Sequence, residues 1–268
     1  MAPDEVGRAR WRAWVPPTAL IVVLTIAWEL VSRMGLVSTF LLPPPSAIVA
    51  QLVEGRRLLW QSMLSTGVAS ITGFLIALVV GVLIAIAIIS WRTLEAAIMP
   101  VLVITQVVPK VAIAPLLIVY VGFGTVPKVV LALLLSFFPI VISAVFGLRS
   151  VAPDVMDLMR TLRASRWQVL WKVRLPGSIP HIAEAAKVSI TLAVIGAIVG
   201  EFSAGNQGLG YVIMTAATRS DVAFAFAAIL AVSLLGVATF LGVALIGSRL
   251  TSHIMKLPRA GDGVGVRA

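Results

Sequence analysis

The chain has 268 residues, 60% of them hydrophobic and only 12% charged, whereas a soluble domain uses roughly 45–50% apolar residues. With a mean hydropathy of +1.07, this composition excludes an ordinary soluble domain and places the chain in a lipid bilayer. The lack of cysteine excludes disulfides, zinc–thiolate sites and a cysteine nucleophile, and the formal charge of +10 reads as loop cations that orient a membrane protein, not as a nucleic-acid surface.

A helix needs about 20 mostly apolar residues to cross the hydrocarbon core, and six stretches supply them. The first, 15–32, follows Arg8, Arg10 and Arg12. It has the basic start and apolar centre of a signal peptide, but no small-residue cleavage pattern follows and Glu29 interrupts its end, so it reads as a retained span. Pro43, Pro44 and Pro45 then forbid a helix through them, and the residues after them read as a short amphipathic extramembrane segment.

The second span, 66–90, carries Gly73, Ala77, Gly81 and Ala85 at four-residue spacing, a face on which another helix can pack closely. The third, 97–120, is interrupted by Pro109 and Pro115; the fourth, 126–148, holds Pro139. A polar segment from Arg149 to His181 separates it from the fifth span, 182–202, along which Ala185, Ser189, Ala193 and Ala197 form a second small-residue stripe. A glycine-rich outer connection with Gly205, Gly208 and Gly210 leads to the sixth span, 222–246, and a basic tail with Arg249, His253, Lys256 and Arg259.

Six spans put both termini on one side. With that side cytoplasmic, Arg92, the cations between Arg149 and Lys187 and both tails lie inside, while Arg33, Arg56, Arg57, Lys128 and Arg219 lie outside, as the positive-inside rule requires. The expectation is an all-α polytopic bundle: a tail at 1–14, one transmembrane domain at 15–250 with a cytoplasmic loop at about 150–180, and a tail at 251–268.

That loop reads PDVMDLMRTLRASRWQVLWKVRLP. Pro153 suits a first helical turn, Asp154 and Asp157 suit a positive helix end, and Pro176 is expected to stop the helix. Leu158, Leu162, Val169 and Val173 recur at helical spacing with Arg160, Arg163 and Arg166 between them. Apolar knobs beside cations suit a groove on another protein; a helix lying in the headgroup layer, held by its arginines with Trp167 and Trp171, is the other physical reading.

The run resembles the coupling-loop signature of ABC importer permeases, Glu-Ala-Ala, three residues, Gly, nine residues, then Ile-x-Leu-Pro. Asp157, Leu158 and Met159 fall at Glu-Ala-Ala; Arg160, Thr161 and Leu162 fill the gap; Arg163 stands at the glycine. Ala164 and Ser165 open the longer gap, and Val173, Leu175 and Pro176 fall at Ile-x-Leu-Pro. The spacing holds, but a large side chain at the glycine position either keeps the backbone off the ATPase groove or meets an acidic socket there. FLLPPPSAIVAQLVE, VVPKVAIAPLLIVYVGFG, SFFPIVISAVFGLRSV and VGEFSAGNQGLGYVI extend the resemblance to permeases for nitrate, taurine, aliphatic sulfonates and thiamine or riboflavin precursors.

The resemblance implies a type I importer in a bacterial inner membrane: two permease copies, two cytoplasmic ABC ATPase subunits that hold ATP and Mg, and an external solute-binding protein. No G-x-x-x-x-G-K-[ST] phosphate loop occurs in this chain, so the permease itself is expected to bind no cofactor and to be no enzyme. No catalytic or metal constellation is read from it either. The candidate pathway residues are Gln106, Pro109, Lys110 and Glu201. An ionisable residue at the depth of Lys110 is a functional hypothesis by default, with attraction of an anionic solute on one side and a structural pairing with Glu184 or Glu201 on the other. Glu201 reads as a contact to a gate or to the docked binding protein, or as an interfacial carboxylate in water. A membrane scaffold or sensor that docks a cytoplasmic regulator through the same loop is the alternative function.

Overall fold

The computed structural model describes residues 3–255, without the side chains of residues 3–15, 17, 92, 204 and 253–255. The expected tail cations Arg8, Arg10, Arg12, His253, Lys256 and Arg259 therefore lie outside the described side chains. All regular structure among the described residues is helical: α1 (Pro3–Arg33), α2 (Pro45–Glu54), α3 (Arg56–Ser90), α4 (Arg92–Val107), α5 (Lys110–Val121), α6 (Thr125–Arg149), α7 (Pro153–Thr161), α8 (Arg166–Val169), α9 (Leu175–Ala204), α10 (Leu209–Thr218) and α11 (Val222–Met255). Four helical stretches among the described residues are long and apolar enough to cross a membrane, and a fifth is counted if α4 and α5 are one broken span.

The chain divides into two units, one from the amino-terminal segment up to Gln61 with Val212–Ala231, the other from Ser62–Tyr211 with the segment beginning at Val232. In the first, Glu29 near the end of α1 does more than interrupt an apolar run. Its carboxylate accepts from the Ser46 amide at 3.0 Å and the Ser46 hydroxyl at 2.7 Å, so α1 supplies the cap for α2. The N-cap residue of α2, Pro44, has no side-chain donor or acceptor with which to do so. Pro45 takes the first helical position, where a missing amide hydrogen is harmless. Trp28 packs against Phe226 with ring centroids 6.1 Å apart.

The second unit is built on α6 and α9, which share its most extensive contact. Small residues make the approach possible. A β-carbon on Gly196 would stand 2.5 Å from the Leu131 carbonyl oxygen, and one on Gly200 2.7 Å from the Lys128 Cα. The expected stripes lie in the same interface: Ala77, Ala193 and Ala197 are fully buried with Ala132 and Ile140 of α6, and Gly73 sits against Ala132. A second cluster joins Ala85 and Ile88 of α3, Leu102 of α4, and Val141, Ala144, Val145 and Leu148 of α6. At this end of α6, Arg149 pairs with Glu95 of α4 at 2.5 Å.

The helical plan departs from expectation at three points. The helix that holds the second span starts at Arg56, ten residues before Thr66. The third span is interrupted at Pro109 as expected, where α4 ends at Val107, α5 starts at Lys110 and the two meet at 94°, but α5 runs on through Pro115. Pro109 lacks an amide hydrogen and pushes Val108 into extended backbone (ψ 123°), so the turn cannot close. Pro176 does not stop a helix. It lies in the first turn of α9, which continues from α8 through a π-turn, Leu170–Arg174. The Leu175 amide reaches back to the Leu170 carbonyl, a five-residue bond that widens the turn just where the proline ring would strike a normal α-turn.

Gly200→Ala should lower the stability of the detergent-solubilised protein by about 1–3 kcal/mol, since the backbone it strikes cannot yield as a side chain can. Gly242→Ala, where nothing lies within 4 Å, should be neutral or stabilising. Thermal unfolding monitored by fluorescence-detected gel filtration checks the pair; equal midpoints would show that α6 and α9 are not held at this distance.

Candidate functional site

Three places carry the chemistry of this chain. The first is the loop between α6 and α9. Helix α7 opens on Ala152 and Pro153, carries Asp154 in its first turn and buries none of its side chains. It closes in a two-bond C-cap: the Arg163 amide donates to the Arg160 carbonyl and the Ala164 amide to the Met159 carbonyl, both at 2.9 Å. This Schellman pattern needs a left-handed residue at its penultimate position, and Arg163 supplies it with φ 51°. A residue with a β-carbon adopts that conformation at a cost of about 1–2 kcal/mol, so the position where the importer pattern has glycine is one where the backbone favours glycine.

Two residues on, Ser165 starts α8 with a full capping box: its hydroxyl accepts from the Gln168 amide at 3.2 Å, and the Gln168 side chain accepts from the Ser165 amide at 2.8 Å. The loop is thus a fixed helix–turn–helix joined to α9. Its outward surface holds Leu158 and Leu162, 55% and 65% exposed. Trp167 and Trp171 are exposed too and stack edge to face at 5.4 Å. Arg160 is tied to Asp157 at 2.7 Å and Thr161 donates to the Asp157 carbonyl, whereas the Arg163 guanidinium meets no partner among the described residues. Val173 lies within the π-turn, and Leu175 and Pro176 open α9.

The second place is the break between α4 and α5. Pro109 is the N-cap residue of α5 and Lys110 its first residue. Although the helix does not continue through Pro109, the bend still brings Lys110 to Gln106: Lys110 Nζ donates to Gln106 Oε1 at 2.8 Å. Around this pair the surface is apolar, with Val103, Ile104, Val107, Val108 and Val111 all exposed. Neither acid considered as a structural partner of Lys110 serves it, because Glu184 pairs with Lys187 at 2.6 Å and Glu201 pairs elsewhere.

The third place was hidden from sequence reasoning. Lys128, read from the sequence only as a cation on the outer side, is fully buried two residues into the apolar run of α6, and Glu201 at the end of α9 is only 1% exposed. Their charged atoms lie 3.6 Å apart. Lys128 Nζ also donates to the Gln207 carbonyl. The Glu201 carboxylate accepts from the Thr66 hydroxyl at 2.9 Å and from the Gly210 amide at 2.8 Å, while Thr66 accepts from the Leu209 amide at 2.9 Å. Glu201 therefore presents no free face to solvent. The glycine-rich connection is a tight wrap around this carboxylate: Gly208 has φ 112°, and a β-carbon there would fall 1.9 Å from Glu201 Oε1. The only sequence signal was pairwise, one cation just inside one apolar run and one anion just inside another, and nothing local says that they meet.

Removing one partner strands the other charge in a dry site, which typically costs about 3–5 kcal/mol. Lys128→Met alone should therefore destabilise the protein more than Lys128→Met combined with Glu201→Gln. A double-mutant cycle on thermal unfolding in detergent measures this, and additive effects would mean that the two groups do not interact.

Comparison with known proteins agrees with this geometry. Residues 73–252 match the family described as binding-protein-dependent transport system inner membrane component. The formylaminopyrimidine transport permease protein ThiX of Halalkalibacterium halodurans is 32% identical over 228 residues, covering 85% of this chain and 91% of that protein. The taurine transport system permease protein TauC of Escherichia coli is 28% identical, covering 87% and 86%. Among solved structures, an inward-facing MetNI methionine ABC transporter chain superposes with a TM-score of 0.54 at 21% identity, over 74% of this chain and 94% of that one, and so shares its fold. A multi-pass helical chain with a rigid loop between its two best-packed helices, matched over most of its length, belongs to the binding-protein-dependent transport system inner membrane component family: it is the permease component of an ABC transporter.

Proposed function

We propose that two copies of this chain form the translocation pathway of a type I importer in a bacterial inner membrane. Two separate ATPase subunits, which bind ATP and Mg, drive it, and an external binding protein delivers a small organic or oxyanion solute. The observation that carries this reading is the loop: α7 has no buried side chain, yet two backbone bonds close its carboxyl end and α8 opens directly afterwards in a capping box. A segment that only reversed the chain would need neither the fixed geometry nor the exposed Leu158 and Leu162. As a docking element it passes the movement of an ATPase directly into α9, with which it is continuous. In this reading the chain crosses the membrane six times, α1 being the first span, and both termini face the cytoplasm with the loop. Catalysis of ATP hydrolysis belongs to the partner.

Gln106, Pro109 and Lys110 line the pathway. Non-helical backbone at membrane depth is tolerated only where protein covers it or water reaches it, and a lysine facing lipid there would cost about 2.5–3.5 kcal/mol. Gln106 satisfies one of the three hydrogens on Lys110; the others need water, the second copy or an anionic group of the solute. Glu201 serves the pathway from behind, by holding the turn into α10.

Affinity purification of the tagged permease from its native membrane in mild detergent should recover a Walker-motif ATPase in equal amount, and recovery of none, even after crosslinking, would overturn the importer reading. In reconstituted vesicles Lys110→Met should reduce solute uptake several-fold, with the deficit shrinking as salt screens the lysine in the wild type. Uptake unchanged at every salt concentration would leave Lys110 a structural role.

A further inference from the structure

Arg163 is held in a conformation that disfavours it, and the chain gains nothing visible in return. Its φ of 51° lies in the left-handed region, its backbone bonds would form as well with glycine, and its exposed side chain makes no hydrogen bond or ion pair among the described residues. Its neighbour Arg160 differs, because Asp157 already engages it. Nor is the position loose: a two-bond C-cap precedes it and a capping box follows two residues later. The guanidinium therefore projects from a fixed root beside exposed Leu158 and Leu162.

We propose that the ATPase subunit partnering this permease presents a carboxylate to Arg163, and that this contact selects the permease's own ATPase from others in the same cell. The proposal rests on the importer reading and adds the chemistry of the partner surface. Arginine suits such a contact, since its planar fork meets a carboxylate with two parallel hydrogen bonds. Anionic lipid is the competing occupant, but fluid headgroups need no fixed root. Arg166 and Lys172, with exposed Trp167 and Trp171, already offer lipid a cationic and aromatic set. A strained, rigid site favours an equally fixed partner. Charge matched at this point would act on recognition more than on raw affinity, because a wrong ATPase with a cation there is repelled.

The experiment uses the full-length permease in phosphatidylcholine nanodiscs and its purified ATPase subunit. Arg163→Glu should weaken ATPase binding by about tenfold or more at low salt, and the loss should narrow as salt rises. Arg163→Gly should bind several-fold more weakly while its thermal unfolding midpoint is equal to or above that of the wild type, since the backbone strain is released; this separates lost contact from lost folding. Arg163→Lys should restore part of the binding, and carbodiimide coupling of that variant should yield a crosslink from residue 163 to an aspartate or glutamate of the ATPase, mapped by mass spectrometry. Wild-type binding by Arg163→Glu overturns the proposal and leaves the importer reading intact, as does a crosslink map without an ATPase carboxylate. A change in thermal unfolding of the full-length Arg163→Glu permease in phosphatidylglycerol nanodiscs but not in phosphatidylcholine nanodiscs, with ATPase binding unchanged, would overturn the proposal and assign the residue to lipid. If the wild-type permease binds no ATPase at all, the importer reading itself fails.

Discussion

The second unit of this protein depends on a charge pair that water does not reach. Burying an ammonium and a carboxylate costs several kcal/mol per ion even after relaxation, and attraction offsets this only when the remaining donors and acceptors are also met. Here the pair, Lys128 from α6 and Glu201 from α9, is bonded further by Thr66 from α3 and by the backbone of 207–210 leading into α10. The partners come from segments far apart in sequence, so the pair can form only when those helices are correctly placed. An unpaired charge at this depth would penalise any other arrangement, which makes the pair a device of specificity more than of stability.

The same two helices carry the loop at their other end. From Lys128 and Glu201, α6 and α9 run together with α9's Gly196 and Gly200 pressed on the α6 backbone, as far as Gly147, where a β-carbon would meet His181. Close contact along this length leaves little room for one helix to slide on the other, because packed interiors have two arrangements or one and do not deform smoothly. In the proposed importer, a push on α7 and α8 is carried by the pair as a rigid body. The π-turn fits that proposal: by absorbing Pro176 without breaking the rod, it keeps α8 continuous with α9. A proline that ended the helix would put a hinge between the proposed docking element and the span.

Most of the helical plan was legible in the sequence, and the exceptions share a cause. Apolar runs, small-residue stripes and the loop signature are local patterns, and local periodicity reports them. Pro153, Ser165 with Gln168, and the stripe through Ala193 and Ala197 are each explained by their own neighbours. Pro176 was misread because a π-turn depends on what the chain does before the proline and has no residue signature of its own. The burial of Lys128 was not legible because its position at the edge of an apolar run fits the positive-inside count as a flanking cation. Its partner lies 73 residues away, and only the packing of α6 on α9 brings them together. Arg163 was legible as a departure from a pattern, but its left-handed backbone gives the departure a physical meaning.

The two lysines show how burial and bonding separate a structural charge from an available one. Both follow a proline, Pro127 and Pro109, at the start of an apolar helix, and composition cannot tell them apart. Lys128 is sealed, with an acid and a carbonyl arranged around its ammonium. Lys110 sits on a surface at a broken span, holding one side-chain oxygen. A cation buried against an acid resists any competing ligand, since an incoming anion would have to displace Glu201 and reopen the contact between α6 and α9. A cation with donors left over can exchange water for solute at little conformational cost. Under the importer proposal, the distinction assigns Lys128 to the frame and Lys110 to the pathway.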